Sequence, residues 1–516
     1  MGGCGLETEI LNRIKQYCTG IDNDLVQLDQ FLQQVVNGEI ECNKTNIAEG
    51  ILNILDQFPR HPYYFFTFLI YLTMDKLDFK RVLHYCIEDE QLTLGNKFFL
   101  YYQFVTYGFL IPEINDDEVS DLLYQLYIQI YEGYKKQMVD LAFIPKVERN
   151  KDLVMVFISQ ILGMSHGPTK TLLDRCYILQ KHMNKKVFVV NTAEFRPDVN
   201  CVPVFCGHDA NYREDLNECT NLEYRGIDIP FFQCPKCMPN LEITEQILDV
   251  VRTEKPYYIL SIGGGSIVSD LCSNIVPTIT IGTVFSGRPT TAGTFLAVGR
   301  KKTENDKQWI KKYHKSDDCI IESLFTFSFR EQEHTYTRRQ LGLPQNKFVA
   351  LIVGGRLDEE IDDKLRDVLY KLIDAGLSVA FLGTYQKYEE EFVKEIQEYR
   401  DNSIYLGFQD DVLAIDECCD LYINPMRLGG GGSAAEAMYK GLPVVTFNHG
   451  DVGVVAGEEF HVNSYGEMYE KVLKYSTNKD YYQKMGELAK QRADELLDSK
   501  EQFKMIIKKA MESSRF

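Results

Sequence analysis

The stretch from residue 420 to residue 447 constrains the fold of this chain more than any other. It consists of an apolar segment (420–424), a loop with four consecutive glycines (429–432), an alanine-rich segment (433–440) and a second apolar segment (443–447). This order is typical of a strand, a loop, a helix and a second strand. Glycines let backbone N–H groups approach a ligand, and a helix start adds unpaired donors and a positive dipole end. The stretch therefore predicts an α/β domain with a site for an anion such as phosphate.

An alternative interpretation makes the same residues structural. Ser433 followed three positions later by Glu436 fits a capping box, in which each side chain bonds a backbone N–H group at the helix start. Glu436 would then only stabilise the helix. A cap does not require four glycines before it, so the sequence favours the ligand site.

The motifs of this stretch resemble the donor-sugar signature of GT-B glycosyltransferases. Asn424-Pro425 precedes the glycine loop, Glu436-Ala437 lies in the helical segment, and Gly441-Leu-Pro-Val-Val follows it. The resemblance implies that Glu436 holds the ribose hydroxyls of a nucleotide-sugar and that the loop amides face its diphosphate. The nucleotide-sugar-binding residues implied in this stretch are Asn424, Gly429, Gly430, Gly431, Gly432, Ser433 and Glu436. Many retaining members have a second glutamate eight residues earlier, where this chain has Leu428, so retention or inversion stays open.

Charge and hydropathy limit the partners of the chain. Its 516 residues include 56 basic and 75 acidic side chains, which gives a net charge of −19. This charge argues against nucleic acid and anionic membrane surfaces as partners. The sequence has no uninterrupted apolar span of 18 residues and no secretory leader at its start, so we expect a cytoplasmic protein without a membrane span.

The alternation of strands and helices after an all-helical part predicts an α/β protein, and the resemblance implies the GT-B arrangement, in which two Rossmann-like domains face a cleft. The predicted parts are a helical domain (1–148), an acceptor-side Rossmann-like domain (149–315) with a cysteine-containing insertion (198–240), a nucleotide-sugar-binding Rossmann-like domain (316–490) and a terminal helix that packs back on the first Rossmann-like domain (491–516). The first part has apolar residues at helical spacing and almost no glycine loops. Its aromatic residues are interpreted as core rather than as a binding surface.

The first α/β part offers candidate cleft residues in two glycine loops. His166 and Gly167 follow an apolar strand, and loop residues on such scaffolds often carry function, so His166 is the candidate catalytic residue. The alternative is a turn histidine that caps the next helix. Gly264 and Ser266 lie in a second loop between a strand and a helix. A dinucleotide site there is disfavoured, because the glycine pattern is incomplete and the ribose acid is missing.

The second α/β part offers further candidates at the ends of predicted strands. The resemblance implies that Gly355 and Arg356 approach the diphosphate, with Lys364 as a second cation and Phe408 against the base. A guanidinium suits bidentate phosphate contacts, whereas a salt bridge to a neighbouring acid is the alternative for Arg356. His449 and Asp451 follow the last apolar strand of the unit and are predicted to line the cleft or to form a turn.

One cysteine cluster suggests a structural metal. Five of the 14 cysteines lie between Cys201 and Cys237, where Cys234-Pro-Lys-Cys237 forms a C-x-x-C pair. Together, Cys206, Cys219, Cys234 and Cys237 could hold structural zinc or iron in a tetrahedral site. Reduced thiols in an inserted loop are the alternative.

Together these features predict a hexosyl- or N-acetylhexosaminyltransferase that uses a nucleotide-sugar, a UDP-sugar first, without a cofactor required for catalysis. The helical domain in front also resembles the layout of cytoplasmic bacterial transferases that glycosylate adhesins, which implies a protein side chain as acceptor. A glycan or lipid-linked acceptor is the second choice. The alternatives from other classes are a non-catalytic sugar-nucleotide-binding partner of another transferase and an NAD-dependent oxidoreductase.

Overall fold

The protein consists of a helical region followed by two parallel sheets that are covered by helices. The computed structural model describes residues 3–36, 38–72, 76–110, 114–164, 166–194, 212–284, 287–324, 326–329, 331–394 and 397–516. The α/β class and the helical region in front of it are therefore as predicted.

The helical region forms a bundle because its helices are amphipathic and bury rings against each other. Its helices are α1 (Gly3–Cys18), α2 (Leu25–Val36), α3 (Lys44–Gln57), α4 (Pro62–Leu72), α5 (Lys76–Glu88), α6 (Leu94–Leu110) and α7 (Asp117–Lys135). The Asp116 side chain caps α7 by accepting a hydrogen bond from the Val119 N–H group at 2.8 Å. The rings of Phe79 and Phe104 meet edge to face with centroids 4.9 Å apart, which places much of the aromatic α6 in the core.

The first α/β unit, residues 150–322, is built on an eight-stranded sheet within the described residues. Its strands are β1 (Asn150–Ile158), β2 (Lys186–Asn191), β3 (Asn221–Tyr224), β4 (Ile227–Gln233), β5 (Pro256–Ile262), β6 (Thr278–Ile281), β7 (Phe295–Val298) and β8 (Ile320–Glu322). Their order is β3-β4-β2-β1-β5-β6-β7-β8, parallel except for β3. Its helices are α8 (Gly167–Tyr177), α9 (Leu241–Glu254), α10 (Ile267–Cys272) and α11 (Glu304–Lys312).

The second α/β unit, residues 349–462, has six parallel strands among the residues described. They are β9 (Val349–Gly354), β10 (Ser378–Gly383), β11 (Ser403–Gly407), β12 (Leu421–Ile423), β13 (Val444–Phe447) and β14 (His461–Val462), in the order β11-β10-β9-β12-β13-β14. The helices of this unit are α12 (Leu357–Glu360), α13 (Asp363–Asp374), α14 (Gln397–Asn402), α15 (Val412–Asp416), α16 (Gly431–Tyr439) and α17 (Gly450–Ala456).

Three helices follow the second unit: α18 (Tyr465–Thr477), α19 (Lys479–Leu496) and α20 (Ser499–Glu512). Helix α19 packs in the core of the second unit, whereas Phe503, Ile506 and Ile507 of α20 are buried in the same cluster as β1. Phe516 is held there as well, since a nitrogen of Arg149 donates to its carbonyl oxygen at 2.7 Å. The chain thus returns from the second unit to the first.

A buried carboxylate is one of the contacts by which the helical region docks on the first unit. Asp270 on α10 accepts hydrogen bonds from the Tyr127 hydroxyl of α7 at 2.6 Å, from the Thr291 hydroxyl at 2.5 Å and from the Ala292 N–H group at 2.5 Å. Burial raises the pKa of Asp270 to about 6, and these donors oppose that shift. The carboxylate therefore ties three segments together at neutral pH.

We expect Asp270→Ala to destabilise the protein by about 3 kcal/mol, because three buried donors lose their acceptor at once. Asp270→Asn keeps one acceptor oxygen, so its loss of stability should be smaller than that of Asp270→Ala. The free energy of unfolding in urea measures both effects. Asp249→Ala is the control, since Asp249 is an exposed carboxylate of the same unit that pairs with Arg252. Equal losses in Asp270→Ala and Asp249→Ala would contradict the docking role.

Candidate functional site

The candidate residues gather at the carboxyl edges of the two sheets, where the strand order changes direction. In the second sheet β9 lies between β10 and β12, and in the first sheet β1 lies between β2 and β5. Such switch points leave a crevice outside the strand ends that binds ligands in open α/β sheets. The loops after β9 and β12 carry Arg356 and the glycine loop, and the loops after β1 and β5 carry His166 and Gly264.

A buried arginine that the sequence analysis did not single out holds the glycine loop. Arg427 donates to Asn424 Oδ1 at 2.9 Å, to the Tyr422 hydroxyl at 2.8 Å and to Glu360 Oε2 at 2.7 Å. Arg356 donates to the other oxygen of Glu360 at 3.0 Å. Glu360 therefore bridges both arginines, and the Asn424 amide also donates to the Thr446 hydroxyl at 3.1 Å.

A glycine is needed at position 430 of the loop because Arg427 lies directly against it. Gly430 has a φ of +95°, and a Cβ atom there would lie 2.6 Å from the Arg427 guanidinium. At Gly354, at the end of β9, a Cβ atom would lie 2.6 Å from Glu360 Oε2. Position 430 is therefore disfavoured for any other residue by both its φ and the close guanidinium, and a side chain at position 354 would displace Glu360. Gly430 in the loop and Gly354 at the end of β9 thus both pack closely against the ion pair of Arg427 with Glu360.

The predicted start of the helix at Ser433, and with it the capping box, is wrong. Helix α16 begins at Gly431 with Gly430 as its N-cap, so Gly431 and Gly432 belong to its first turn. The Ser433 hydroxyl lies inside the helix, where it donates to the Gly430 carbonyl oxygen and contacts the Tyr422 hydroxyl, both at 2.9 Å. Left-handed Gly430 allows this earlier start, and Glu436 is then one turn further into the helix.

Glu436 is left without an internal partner. Its side chain is half-buried on α16, and none of the described residues hydrogen-bonds or ion-pairs with its carboxylate. Burial raises the pKa of Glu436, Lys170 of the first α/β unit lowers it, and Asp411 raises it. A half-buried acceptor without a partner is costly unless a ligand supplies donors.

The other candidates of the second unit are accessible to a ligand. Gly355 is exposed, and a Cβ atom there would meet nothing within 4 Å. The Arg356 side chain is 40% exposed despite its bond to Glu360, so the guanidinium can reach a second anion. Lys364 is exposed in the first turn of α13, and Phe408 is exposed after β11, two strands away from β9.

His449 and Asp451 belong to a helix that the sequence analysis missed. His449 is the N-cap residue of α17, and Asp451 lies buried in its first turn. The Asp451 N–H group donates to the Leu428 carbonyl oxygen at 2.6 Å, and a Cβ atom at Gly450 would overlap the Arg427 carbonyl oxygen. Helix α17 thus contacts the backbone of Arg427 and Leu428, directly before the glycine loop. The sequence did not predict this helix because three of the eight residues 450–457 are glycines, which have a low helix propensity.

His166 is the N-cap residue of α8, yet its side chain makes no capping hydrogen bond. Its Nδ1 atom lies 2.8 Å from the Thr169 hydroxyl, which accepts a hydrogen bond from the Leu162 N–H group at 3.0 Å. Burial lowers the pKa of His166 to about 4. The imidazole is therefore neutral at pH 7, in the form that can accept a proton.

Because the pKa of His166 is about 4 in the folded protein, against the ordinary value of 6.5 in the unfolded chain, the unfolded chain binds the proton more tightly. We expect the protein to lose up to about 3 kcal/mol of stability at this residue as the pH falls from 6.5 to 4. Urea unfolding at both pH values should show a smaller loss in His166→Gln. Exposed His182→Gln is the control, and an equal loss in wild type and His166→Gln would refute the shift.

A cavity of about 230 Å³ lies between α6 and the carboxyl edge of the first sheet. Tyr101 and Tyr102 line one wall, and Gly264 and the buried carboxylate of Glu194 line the other. Ser266 caps α10 by accepting from the Ser269 N–H group at 3.1 Å and donates to Glu194 at 2.5 Å. Burial raises the pKa of Glu194 to about 7. Gly264 therefore lines a cavity, and Ser266 caps a helix. Gly167 lies elsewhere, as the exposed first residue of α8.

The metal prediction stays a prediction. Cys206 lies outside the described residues, together with Cys201 and His208. Of the other three ligands proposed, Cys234 is fully buried, Cys219 is half-buried and Cys237 is exposed. The part of the chain that the structure describes holds no group of three or more metal-binding side chains.

Comparisons with known proteins agree with this architecture. Residues 334–492 match the family Glycosyl transferases group 1. The fold is similar to that of a mutant O-GlcNAc transferase from Thermobaculum terrenum, with a TM-score of 0.55, 11% identity, and coverage of 98% of this chain and 97% of that one. It is also similar to a glycosyltransferase from Rickettsia africae ESF-5, with a TM-score of 0.50, 12% identity, and coverage of 70% of this chain and 97% of that one.

A comparison with curated protein sequences gave no match. The fold and the family match together confirm the predicted resemblance to GT-B glycosyltransferases. None of the helices described is both long and apolar enough to cross a membrane.

Proposed function

We propose that this GT-B protein transfers a sugar from a nucleoside-diphosphate sugar, a UDP-sugar, to a side chain of a protein acceptor. One observation carries the proposal. The Glu436 carboxylate has no partner among the described residues, although it is half-buried beside a glycine loop that Arg427 holds in place. Two ribose hydroxyls would supply the donors that this carboxylate lacks.

The remaining groups account for the departure of the diphosphate. The first turn of α16 presents N–H groups and a positive dipole end, and Arg356 adds a guanidinium whose side chain is 40% exposed. The acceptor nucleophile forms a bond to the anomeric carbon, and the electron pair of the breaking bond leaves on the diphosphate oxygen. Preorganised positive groups stabilise that developing charge without a required metal ion. Neutral His166 is our candidate to take the proton of the acceptor.

A protein acceptor is supported by the extent of the fold match. The match to the Thermobaculum protein, which is named an O-GlcNAc transferase, covers 98% of this chain and therefore the helical region too. We propose that this chain is an N-acetylhexosaminyl- or hexosyltransferase, and we infer that its helical region presents the acceptor. A glycan or lipid-linked acceptor is the second choice.

Thermal unfolding with UDP, GDP, ADP and NAD tests the proposal first. A ligand that binds only the folded state stabilises it by mass action and so raises the midpoint temperature. The gain in free energy of unfolding is about 2.7 kcal/mol at a ligand concentration of about 100 times the Kd. We expect one nucleoside diphosphate to raise it and NAD to leave it unchanged. The matching nucleotide-sugars are then assayed for hydrolysis and for transfer to peptides. A shift with NAD alone would refute sugar transfer, and binding without turnover would favour a non-catalytic partner.

A further inference from the structure

The cavity of about 230 Å³ between α6 and the first sheet has a buried floor and a partly exposed rim. Glu194, which follows β2 and is 1% exposed, lines the floor together with Ser159, which follows β1. Tyr102, Val105 and Thr283 are partly exposed at the rim. Typical small-molecule sites measure about 300–1,000 Å³. The cavity therefore opens to solvent and has a size for one side chain rather than for a whole nucleotide-sugar.

The walls of this cavity are held in place by contacts within the chain. The Gly265 N–H group donates to the Thr290 carbonyl oxygen at 2.7 Å, and a Cβ atom at Gly264 would lie 2.6 Å from the same oxygen, so two loops pack backbone to backbone. On the opposite wall, the Tyr101 ring packs on the Tyr127 ring with centroids 5.3 Å apart. Because a preorganised cavity loses little conformational freedom on binding, these contacts suit a binding site.

The two charged side chains that line the cavity differ in how they are paired. Arg288 donates to Asp306 Oδ1 at 3.0 Å, and its guanidinium lies 4.4 Å from the centroid of the Trp309 ring. Glu194 accepts hydrogen bonds from the Ser266 hydroxyl at 2.5 Å and from an N–H group of α10 at 3.1 Å. Within the described residues, however, no basic side chain forms an ion pair with Glu194. A buried carboxylate without a cation is costly, so the cavity favours a positive charge.

The rest of the lining suits a long side chain that ends in a cation. Phe98, Tyr102 and Val105 of α6 provide apolar surface against which methylene groups can pack. Aromatic rings also attract a cation through their faces. Lysine and arginine combine an apolar stem with a charge that Glu194 can pair. A neutral side chain would leave the carboxylate without a cation, and an acidic one would be repelled by it.

We propose that this cavity binds a lysine or arginine side chain of the acceptor protein, so that the transferase selects basic segments of polypeptide. The inference rests on the proposed function and names the class of acceptor. The net charge of −19 supports it, because an acidic protein attracts basic partners and speeds their association. Helix α6 then gives the helical region a direct part in recognition of the acceptor.

Peptides with a single serine in an alanine–glycine background test this inference. One lysine is placed at each other position in turn, and a matched set carries norleucine instead, which has a similar stem without the charge. Calorimetry gives the Kd, and fluorescence of Trp309, the one tryptophan of the sequence, reports binding next to Arg288. We expect at least one lysine peptide to bind about tenfold or more tightly than its norleucine counterpart, and arginine at the same position to act like lysine.

Variants of the cavity show whether this preference comes from Glu194. Glu194→Gln should abolish it, because the amide keeps the size of the side chain and removes its charge. Glu242→Gln is the control, since Glu242 is exposed on α9 of the same unit and its replacement changes the net charge equally. Val105→Phe fills the cavity from the rim and leaves Glu194 in place. It should also weaken the lysine peptide, and it decides the question if Glu194→Gln does not fold.

The outcomes separate this inference from the proposed function. Equal affinity of the wild type for lysine and norleucine peptides would overturn the inference, and so would a lysine preference that persists in Glu194→Gln or, if that variant does not fold, in Val105→Phe. Sugar transfer to the same peptides is measured independently. Transfer without a lysine preference would leave the proposed function standing and refute the role of the cavity. A lysine preference that depends on Glu194, without transfer to any peptide, would support the site for a basic side chain and count against the proposed function.

Discussion

Replacing Glu436 by glutamine should lower kcat/KM for sugar transfer by about 100-fold while leaving the protein as stable as the wild type. Hydrogen bonds to a charged group contribute about 1.5–3 kcal/mol each. If two ribose hydroxyls bind the Glu436 carboxylate, glutamine at this position would lose most of that binding energy. About 1.4 kcal/mol corresponds to a factor of ten. The fold loses little, because Glu436 bonds no described residue and burial already raises its pKa, which marks the charged form as the disfavoured one.

Initial rates with the nucleotide-sugar and thermal unfolding of the same samples measure both halves of this expectation. Glu458→Gln is the control, since Glu458 is exposed in the same unit and removal of its charge changes the net charge equally. A Glu436→Gln protein with wild-type kcat/KM would contradict the ribose role. A protein that unfolds more easily would indicate a structural role for this carboxylate instead.

Replacing Arg427 by alanine should destabilise the protein by about 3–5 kcal/mol, the usual cost of removing one partner of a buried ion pair. Glu360, whose side chain is 8% exposed, would lose its bond of 2.7 Å, and Asn424 and Tyr422 would lose their donor. The left-handed turn at Gly430 would also lose the group on which it packs. Urea unfolding gives the free energy directly.

Arg356→Ala is the matched control, because Arg356 bonds the other oxygen of the same Glu360 but is 40% exposed. Its loss should cost less than about 1 kcal/mol of stability, as for an exposed pair. It should instead lower the affinity for the nucleoside diphosphate. The double variant Glu360→Gln with Arg427→Met should recover part of the stability that Arg427→Ala loses, since no unpaired charge stays buried. Equal stability losses in Arg427→Ala and Arg356→Ala would contradict this division of roles.

Local sequence was enough to predict the alternation of strands and helices in both α/β units. Apolar runs bounded by glycine loops indicated the strands β1, β5 and β9, because a strand covered by helices on both faces is apolar throughout. It was less reliable at helix starts. Helix α16 begins at Gly431 rather than at the predicted Ser433, because left-handed Gly430 ends the loop, and short-range rules assign that role to a serine.

The partners of individual side chains could not be predicted in this way. Asp270 and Tyr127 are 143 residues apart in the chain and share a hydrogen bond, and Arg427 and Glu360 are 67 residues apart. Such pairs are set by which loops meet at a sheet edge. The same holds for the low pKa of His166. It is caused by burial, which the residues next to His166 in the sequence do not predict.

Glycine spacing and apolar periodicity act over a few residues, so the order of amino acids was sufficient to establish α/β units and to predict an anion site at the glycine loop. How that loop is held, and which charges face it, followed from tertiary packing instead. Packing placed buried Arg427 against Gly430, left Glu436 without a partner among the described residues, and brought Lys170 of the other unit close enough to lower the pKa of Glu436. Those relations depend on strand order and on the contact of two units, and the energies of buried charges are set by their surroundings in space.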